Sequence, residues 1–170
     1  MLGVEMPGEG CRGTYLLLLK TEGQALVKVG ALGEIGLPKG FLVYVGSALG
    51  AGGVLRRVAR HFSSTKTMRW HIDYITPSAA KPLLAVAICW PSRLETEVAR
   101  RCSLLCTPVG RGFGSSDDRT VSSHLFYCGE NENEVLETVC RCVEDLPGAR
   151  TTLYPPGDRP GEDLCDRERG

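Results

Sequence analysis

Five residues in this sequence sit where packing alone does not require them. Tyr15 interrupts the apolar run TYLLLL and Tyr44 the run FLVYVG, and a buried phenol needs a partner or a task for its hydroxyl. The second run feeds a glycine-rich stretch, GSALGAGG, and then RRVARHF, where Arg56, Arg57 and Arg60 stand beside His61. At about 100° per residue a helix over 54–62 places Val54, Leu55, Val58, Ala59 and Phe62 on one side. Arg57 and His61, four apart, then stack on the flank of that apolar stripe and look toward a neighbouring cleft. Arg56 and Arg60 form a second pair nearer solvent, suited to non-specific phosphate contacts. The fifth residue is Glu95. In a helix from about residue 92, Leu94, Val98, Cys102 and Leu105 define an apolar face, and Glu95 falls on it. Glu97 lies more than a quarter-turn away, with Arg100 and Arg101 as neighbours. A carboxylate on a buried face is costly unless a metal ion or hydrogen bonds satisfy it. Ser92-Arg-Leu-Glu95 also fits a capping box, which would satisfy Glu95 through backbone N–H groups.

Charge points to the partner. No acidic residue lies between Glu34 and Asp73, yet Lys39, Arg56, Arg57, Arg60, Lys66 and Arg69 do, while acids gather late, from Glu130 to Asp145. A basic segment in a chain of zero formal net charge is an electrostatic footprint for an anion, and a polyanion fits it best. The alternative is a solvated arginine face with no ligand.

These groups need a scaffold. Strands are expected at TYLLLL, QALVKV, FLVYVG, PLLAVAIC and LFYC, and helices over 54–62, from about 92 to 106, and at NENEVLETVCRCVEDL. The last helix opens with Asn131 and Glu134 as its start signal. WHIDYI is a short element between the first helix and PLLAVAIC. The order predicts an α/β fold, a small antiparallel sheet of three to four strands flanked by helices. With 170 residues and 42% hydrophobic composition, one domain is expected over 12–147, after a flexible segment at 1–11 and before a disordered tail at 148–170.

Eight cysteines occur without a C-x-x-C pair or a signal-peptide pattern; several, in the runs AVAICW and LFYC, read as small core residues, and a reduced, cytoplasmic protein is expected. Cys102/Cys106 and Cys140/Cys142 are weak zinc candidates by spacing. No apolar run approaches a membrane span.

In order along the chain stand GTY with Tyr15, YVGSALG at 44–50, RRVARH with Arg57 and His61, Lys66 before WHIDY at 70–74, FGSSD at 113–117 and SHLFY at 123–127. This order resembles the GIY-YIG nuclease superfamily. The closer resemblance is to a small prokaryotic group within it, some of whose members are joined to endonuclease III-like DNA repair enzymes. The likeness spans about residues 13–127. Two features depart from it: GTY stands for GIY, and SDDRTVSSH, with Asp118 and Thr120, stands where the group carries two cysteines.

The resemblance implies a metal-dependent endonuclease that hydrolyses DNA phosphodiester bonds in repair or processing, nucleoid-associated if prokaryotic, with DNA-repair proteins as possible partners. It implies that Glu95 holds one Mg²⁺ or Mn²⁺ and that Tyr15 or Tyr44 orients the attacking water or takes its proton. Arg57 would bind the scissile phosphate, and His61 would carry a proton or donate to phosphate. Gly46 would let backbone approach the site, and Ser47, Arg56, Arg60, Lys66, Arg69 and His71 would contact DNA. Two other readings remain. A non-catalytic nucleic-acid-binding module would keep the fold and use only the cations. A mononucleotide enzyme would use GSALGAGG, but that loop lacks both GK[ST] and G-x-G-x-x-G. His71 and His124 read equally well as structural, His71 by bonding Asp73 or backbone.

Overall fold

The structure, a computed structural model, describes residues 10–115, 118–157 and 164–165. In chain order the strands are β1 (Gly13–Thr21), β2 (Ala25–Lys28), β3 (Glu34–Leu37) and β4 (Gly40–Ala48). Helix α1 (Gly53–Phe62) and a 3-10 turn at His71–Tyr74 lead to β5 (Lys81–Cys89). There follow α2 (Glu95–Leu105), β6 (Thr107–Pro108), β7 (Leu125–Gly129), α3 (Glu132–Cys142) and β8 (Ala149–Leu153). The fold is α/β, with an antiparallel sheet flanked by helices.

The main sheet has six strands in the order β6-β7-β4-β1-β5-β8, each neighbouring pair antiparallel. Its centre, β7-β4-β1-β5, is built from four of the runs named above, and short edge strands bring it beyond the three or four expected. QALVKV does not join it: β2 pairs with β3 in a separate two-stranded sheet. Its alternating half-buried and exposed residues suit a ribbon with one covered face.

Alternation along β1 and β4 sorts side chains into two cores. Tyr15, Leu17, Leu19, Leu42 and Tyr44 face α1 and the 3-10 turn, packing with Val54, Val58, Ile72 and Ile75. Leu16, Leu18, Val43 and Val45 face α2 and α3, packing with Val98, Ala99, Val135 and Val139. Both faces are covered, so these strands are almost continuously apolar. Tyr15 and Tyr44 lie on the same face.

Three expectations are corrected. The fold does not end at 147, because β8 pairs with β5 from Ala85↔Leu153 to Cys89↔Ala149. Its β-branched pair Thr151 and Thr152 is buried amid a Pro- and Gly-rich composition that hides the strand. The rest of the expected tail, 158–163 and 166–170, and residues 1–9 of the expected flexible segment lie outside the described residues. Cys11, also within that segment, is buried, and its carbonyl accepts the Val54 N–H at 2.8 Å.

Second, the cysteines are not all free core thiols. Cys11–Cys89, Cys106–Cys128 and Cys140–Cys165 are disulfides, and Cys102 and Cys142 are buried thiols. The spacing pairs Cys102/Cys106 and Cys140/Cys142 are therefore split among different partners. Among the described residues no group of three or more His, Cys, Asp or Glu side chains could hold a metal ion.

Third, the capping box at Ser92 does not form. Leu94 is the N-cap of α2 and makes no side-chain cap bond, which leaves Glu95 to other partners. In α3 the expected cap is present: Asn131 accepts the Glu134 N–H at 3.1 Å. No helix among the described residues is long and apolar enough to cross a membrane.

Candidate active site

The sheet has one end where both helical layers begin. Gly13 pairs there with Ala48 on one side and Cys89 on the other, and Tyr44 pairs with Leu125 at the start of β7. α1 follows β4 over one face, and α2 follows β5 over the other. A cleft of about 700 Å³ opens between them, lined in part by Tyr44, Ser47, Arg57, His71, Glu95 and His124.

At its back the two phenols and the imidazole cluster. The Tyr15 ring is 6.4 Å from that of Tyr44 and 5.4 Å from His61, and Tyr44 is 6.2 Å from His61. The Tyr15 hydroxyl and His61 Nε2 share a buried hydrogen bond of 2.6 Å. The cross-strand partner of Tyr15 is Gly46, whose role is steric: a Cβ there would lie 2.4 Å from the Tyr15 hydroxyl and ring. Gly46→Ala is therefore expected to push the ring off β4, break the bond to His61 and cost about 1–3 kcal/mol in urea unfolding. An unchanged midpoint would contradict this packing.

Neither phenol is ionised at rest. Burial, then the Tyr44 phenol, raises the Tyr15 pKa well above its usual value; Glu95 adds to this and Arg57 opposes it. Burial, then Glu95, raises that of Tyr44. Burial also brings His61 down to about 3, with Lys66 assisting, so the imidazole is neutral. Its Nδ1 is buried without a hydrogen-bond partner among the described residues. If Tyr15 donates to Nε2, an N–H is stranded there. If Nε2–H donates to Tyr15, only an acceptor is stranded, and the phenol's own proton is free to point away.

Arg57 forms one wall. Its Nη1 donates to the Ser47 carbonyl at 3.0 Å, and its guanidinium lies 4.1 Å from the Trp70 ring centroid. Arg60 also packs on Trp70, at 4.5 Å, but its charge is spent elsewhere. Asp73, fully buried, accepts from Arg60 at 2.8 and 3.0 Å and from the Arg69 and Trp70 backbone N–H groups at 2.9 Å. Lys66 Nζ lies 3.7 Å from the same carboxylate, donates to Thr76 at 2.6 Å, and keeps a side chain only 4% exposed. Arg60 also donates to the Thr67 carbonyl. The expected phosphate contacts Arg60 and Lys66 are thus the internal counter-ions of Asp73. Arg56 is exposed and Arg69 is exposed at the cleft rim.

His71 does not bond Asp73. Its Nδ1 accepts the Gly114 N–H at 2.9 Å, which leaves Nε2–H as a donor beside the cleft, and burial lowers its pKa. Gly114 has φ +66°, and a Cβ there would press on Tyr44 at 3.1 Å and His124 at 3.3 Å.

On the opposite wall, Glu95 Oε1 bonds His124 Nδ1 at 2.9 Å, and His124 Nε2 bonds Asp118 Oδ2 at 3.0 Å. Burial would lower the His124 pKa, but the bonds to Glu95 and Asp118 outweigh it and raise it. Burial likewise opposes ionisation of Asp118, yet bonds from Thr120 and His124 bring it down to about 2. The Glu95 side chain remains 25% exposed, and its second oxygen has no hydrogen-bond partner among the described residues. Mg²⁺ and Mn²⁺ are hard ions that keep several waters and need one or two carboxylates, so this donor set fits such an ion. Glu97 is engaged by Arg100 and Arg101 at 2.8–3.0 Å and does not line the cleft.

Tyr44, Arg57, His71 and Glu95 thus meet in one cleft, with Tyr15 and His61 behind Tyr44. The sequence left His124 open between a structural and a catalytic role and assigned none to Asp118, Arg93 or Arg119; all four line the cleft. His124 stands in the SHLFY motif, and the one signal for Asp118 was the departure SDDRTVSSH. Ser116 and Asp117 of FGSSD lie outside the described residues.

The family model described as "Domain of unknown function DUF123" matches residues 14–147 of the chain. No curated protein and no solved structure matches it.

Proposed function

The chain belongs to the DUF123 family, and from that premise and from its cleft we propose that it is a metal-dependent DNA endonuclease of the GIY-YIG type, acting in DNA repair or processing. One observation carries this reading: Tyr44, Arg57 and Glu95, distant in sequence, line a single cleft. Binding a polyanion would need only the cations. A carboxylate aimed at a guanidinium-lined cleft would repel a phosphate unless it had work to do.

Arg57, held by the Ser47 carbonyl and Trp70, presents its planar fork to the scissile phosphate. The Nε2–H of His71 supplies a second donor to a phosphate oxygen. The Tyr44 hydroxyl orients the attacking water. Tyr15, one strand over, passes a proton between that region and His61 through their 2.6 Å bond. Because both phenols are neutral and His61 is a weak base, proton transfer follows the charge that develops during attack rather than preceding it. Glu95 would hold the divalent ion, which when bound supplies Lewis acidity and a more acidic water. His61 does not line the cleft and acts through Tyr15.

The test is incubation of the full chain with supercoiled plasmid and with nicked, flapped and lesion-bearing duplexes, in Mg²⁺, Mn²⁺ or EDTA. Strand cleavage is expected with either ion and lost in EDTA. Gel retardation without cleavage would replace the enzyme by a binding module. Neither retardation nor cleavage on any substrate would end the nucleic-acid reading.

A further inference from the structure

Six of the eight cysteines pair as disulfides, and the remaining two face each other. Cys102 on α2 and Cys142 on α3 are fully or almost fully buried, with their sulfurs 3.1 Å apart across a sequence separation of 40 residues. That gap is roughly 1 Å longer than a covalent S–S bond, within what side-chain rotation and small helix shifts can close. We propose that Cys102 and Cys142 are a thiol-oxidation site that becomes the fourth disulfide of the chain, with a small-molecule disulfide as co-reactant.

Three features favour this over a pair of inert core thiols. Each sulfur is hydrogen-bonded to the other and to no other side chain, so neither has a competing partner among the described residues. Among the described residues the pair has no third ligand: no group of three or more His, Cys, Asp or Glu side chains there could hold a metal ion, as a structural zinc site would require. Polarity is also present. The bond from Cys102 lowers the Cys142 pKa against the effect of burial, and Arg101 and Arg141 assist. Cys142 is therefore the sulfur that attacks.

The exchange balances in two steps. The Cys142 thiolate attacks one sulfur of the small disulfide, forming a mixed disulfide and releasing one thiolate. Cys102, giving up its proton, then attacks the Cys142 sulfur and displaces the second thiolate. The protein loses two electrons and two protons, and the small disulfide becomes two thiols. Because both sulfurs are buried, the exchange requires transient separation of α2 from α3. Once closed, the bond resists reduction in the folded chain.

The bond would tie α2 to α3 two turns after Glu95, adding to the Cys106–Cys128 link from the C-cap of α2 to β7 and the Cys140–Cys165 link from α3. It does not rest on the nuclease reading and stands or falls separately.

The experiment treats the full chain with oxidised glutathione in sub-denaturing urea, then unfolds it with N-ethylmaleimide present and no reductant. Trypsin cuts after Arg101 and Arg141 and chymotrypsin after Leu105, so Cys102, Cys106 and Cys142 enter different peptides, 102–105, 106–111 and 142–150. The expected result is no alkylated cysteine, with 142–150 recovered only in covalent linkage to 102–105 and an intact mass about 2 Da below that of the untreated chain. Release of 142–150 alone with an alkylated Cys142 would overturn the proposal. So would a stable glutathione adduct on either sulfur, or linkage of Cys142 to any other cysteine. The mapping is done on the wild-type chain, so it does not depend on a variant that folds.

Discussion

Glu95→Gln is expected to lower the rate of plasmid nicking by about 10²–10³-fold or more while leaving gel retardation within about two-fold. The substitution keeps the side chain's shape and an oxygen that can still accept from His124 Nδ1, whose distance to Glu95 is 2.9 Å. What it removes is the negative charge facing Tyr44 and Arg57 across the cleft. On the proposed reading, affinity for DNA would rest on the half-buried Arg57 and on exposed cations such as Arg56 and Arg69, which the change does not touch. A carboxylate that served only to place His124 would be largely replaced by glutamine. Equal nicking rates for the two proteins, measured in Mg²⁺ under single-turnover conditions, would remove Glu95 from the chemistry.

Asp73→Asn should be the most damaging single change to stability, about 3–5 kcal/mol in urea unfolding at neutral pH. Asp73 is fully buried, and its carboxylate is the counter-charge for Arg60 at 2.8 Å and Lys66 at 3.7 Å. Asparagine could keep the bonds from the Arg69 and Trp70 N–H groups but would leave two cations with no neutralising partner, one of them almost completely enclosed. Burial would raise the Asp73 pKa, but the Arg60 bond and the two backbone bonds outweigh it and hold the carboxyl below its usual value. The sign follows from linkage. A depressed carboxyl stabilises the fold above its unfolded pKa of about 3.9, and that contribution is lost as pH falls through the folded value. The wild-type chain should therefore lose stability steeply below about pH 4, and the variant less steeply over the same range. Parallel acid limbs for the two proteins would show that Asp73 is not the group responsible.

Much of the scaffold was legible because it follows period. Continuous apolar runs marked β1, β4, β5 and β7 as strands, and the 3.6-residue stripe in RRVARH put Arg57 on a flank that faces the cleft. The same logic separated Glu95 from Glu97 and paired the latter with Arg100 and Arg101. What escaped depended on contacts between distant segments. Arg60 and Lys66 looked like free cations because their partner, Asp73, is brought to them only when the 3-10 turn folds against α1. His124 and Asp118 carried no helical or strand signal, since they lie on a loop whose path is set by Gly114 and by the start of β7. β8 was hidden by the prolines and glycines around it, and the cysteine pairs are set by tertiary proximity that spacing along the chain does not encode.

The placement of the cleft where the two helical layers meet has a further effect. The phenols belong to the sheet itself, so the α1 layer adds the imidazole and the guanidinium but no Glu95 carboxylate, and the α2–α3 layer adds that carboxylate but neither of those groups. Neither partial form presents a complete constellation. On the proposed nuclease reading, the order of docking would act as a safeguard, since the full arrangement exists only once every layer of the polypeptide is in place.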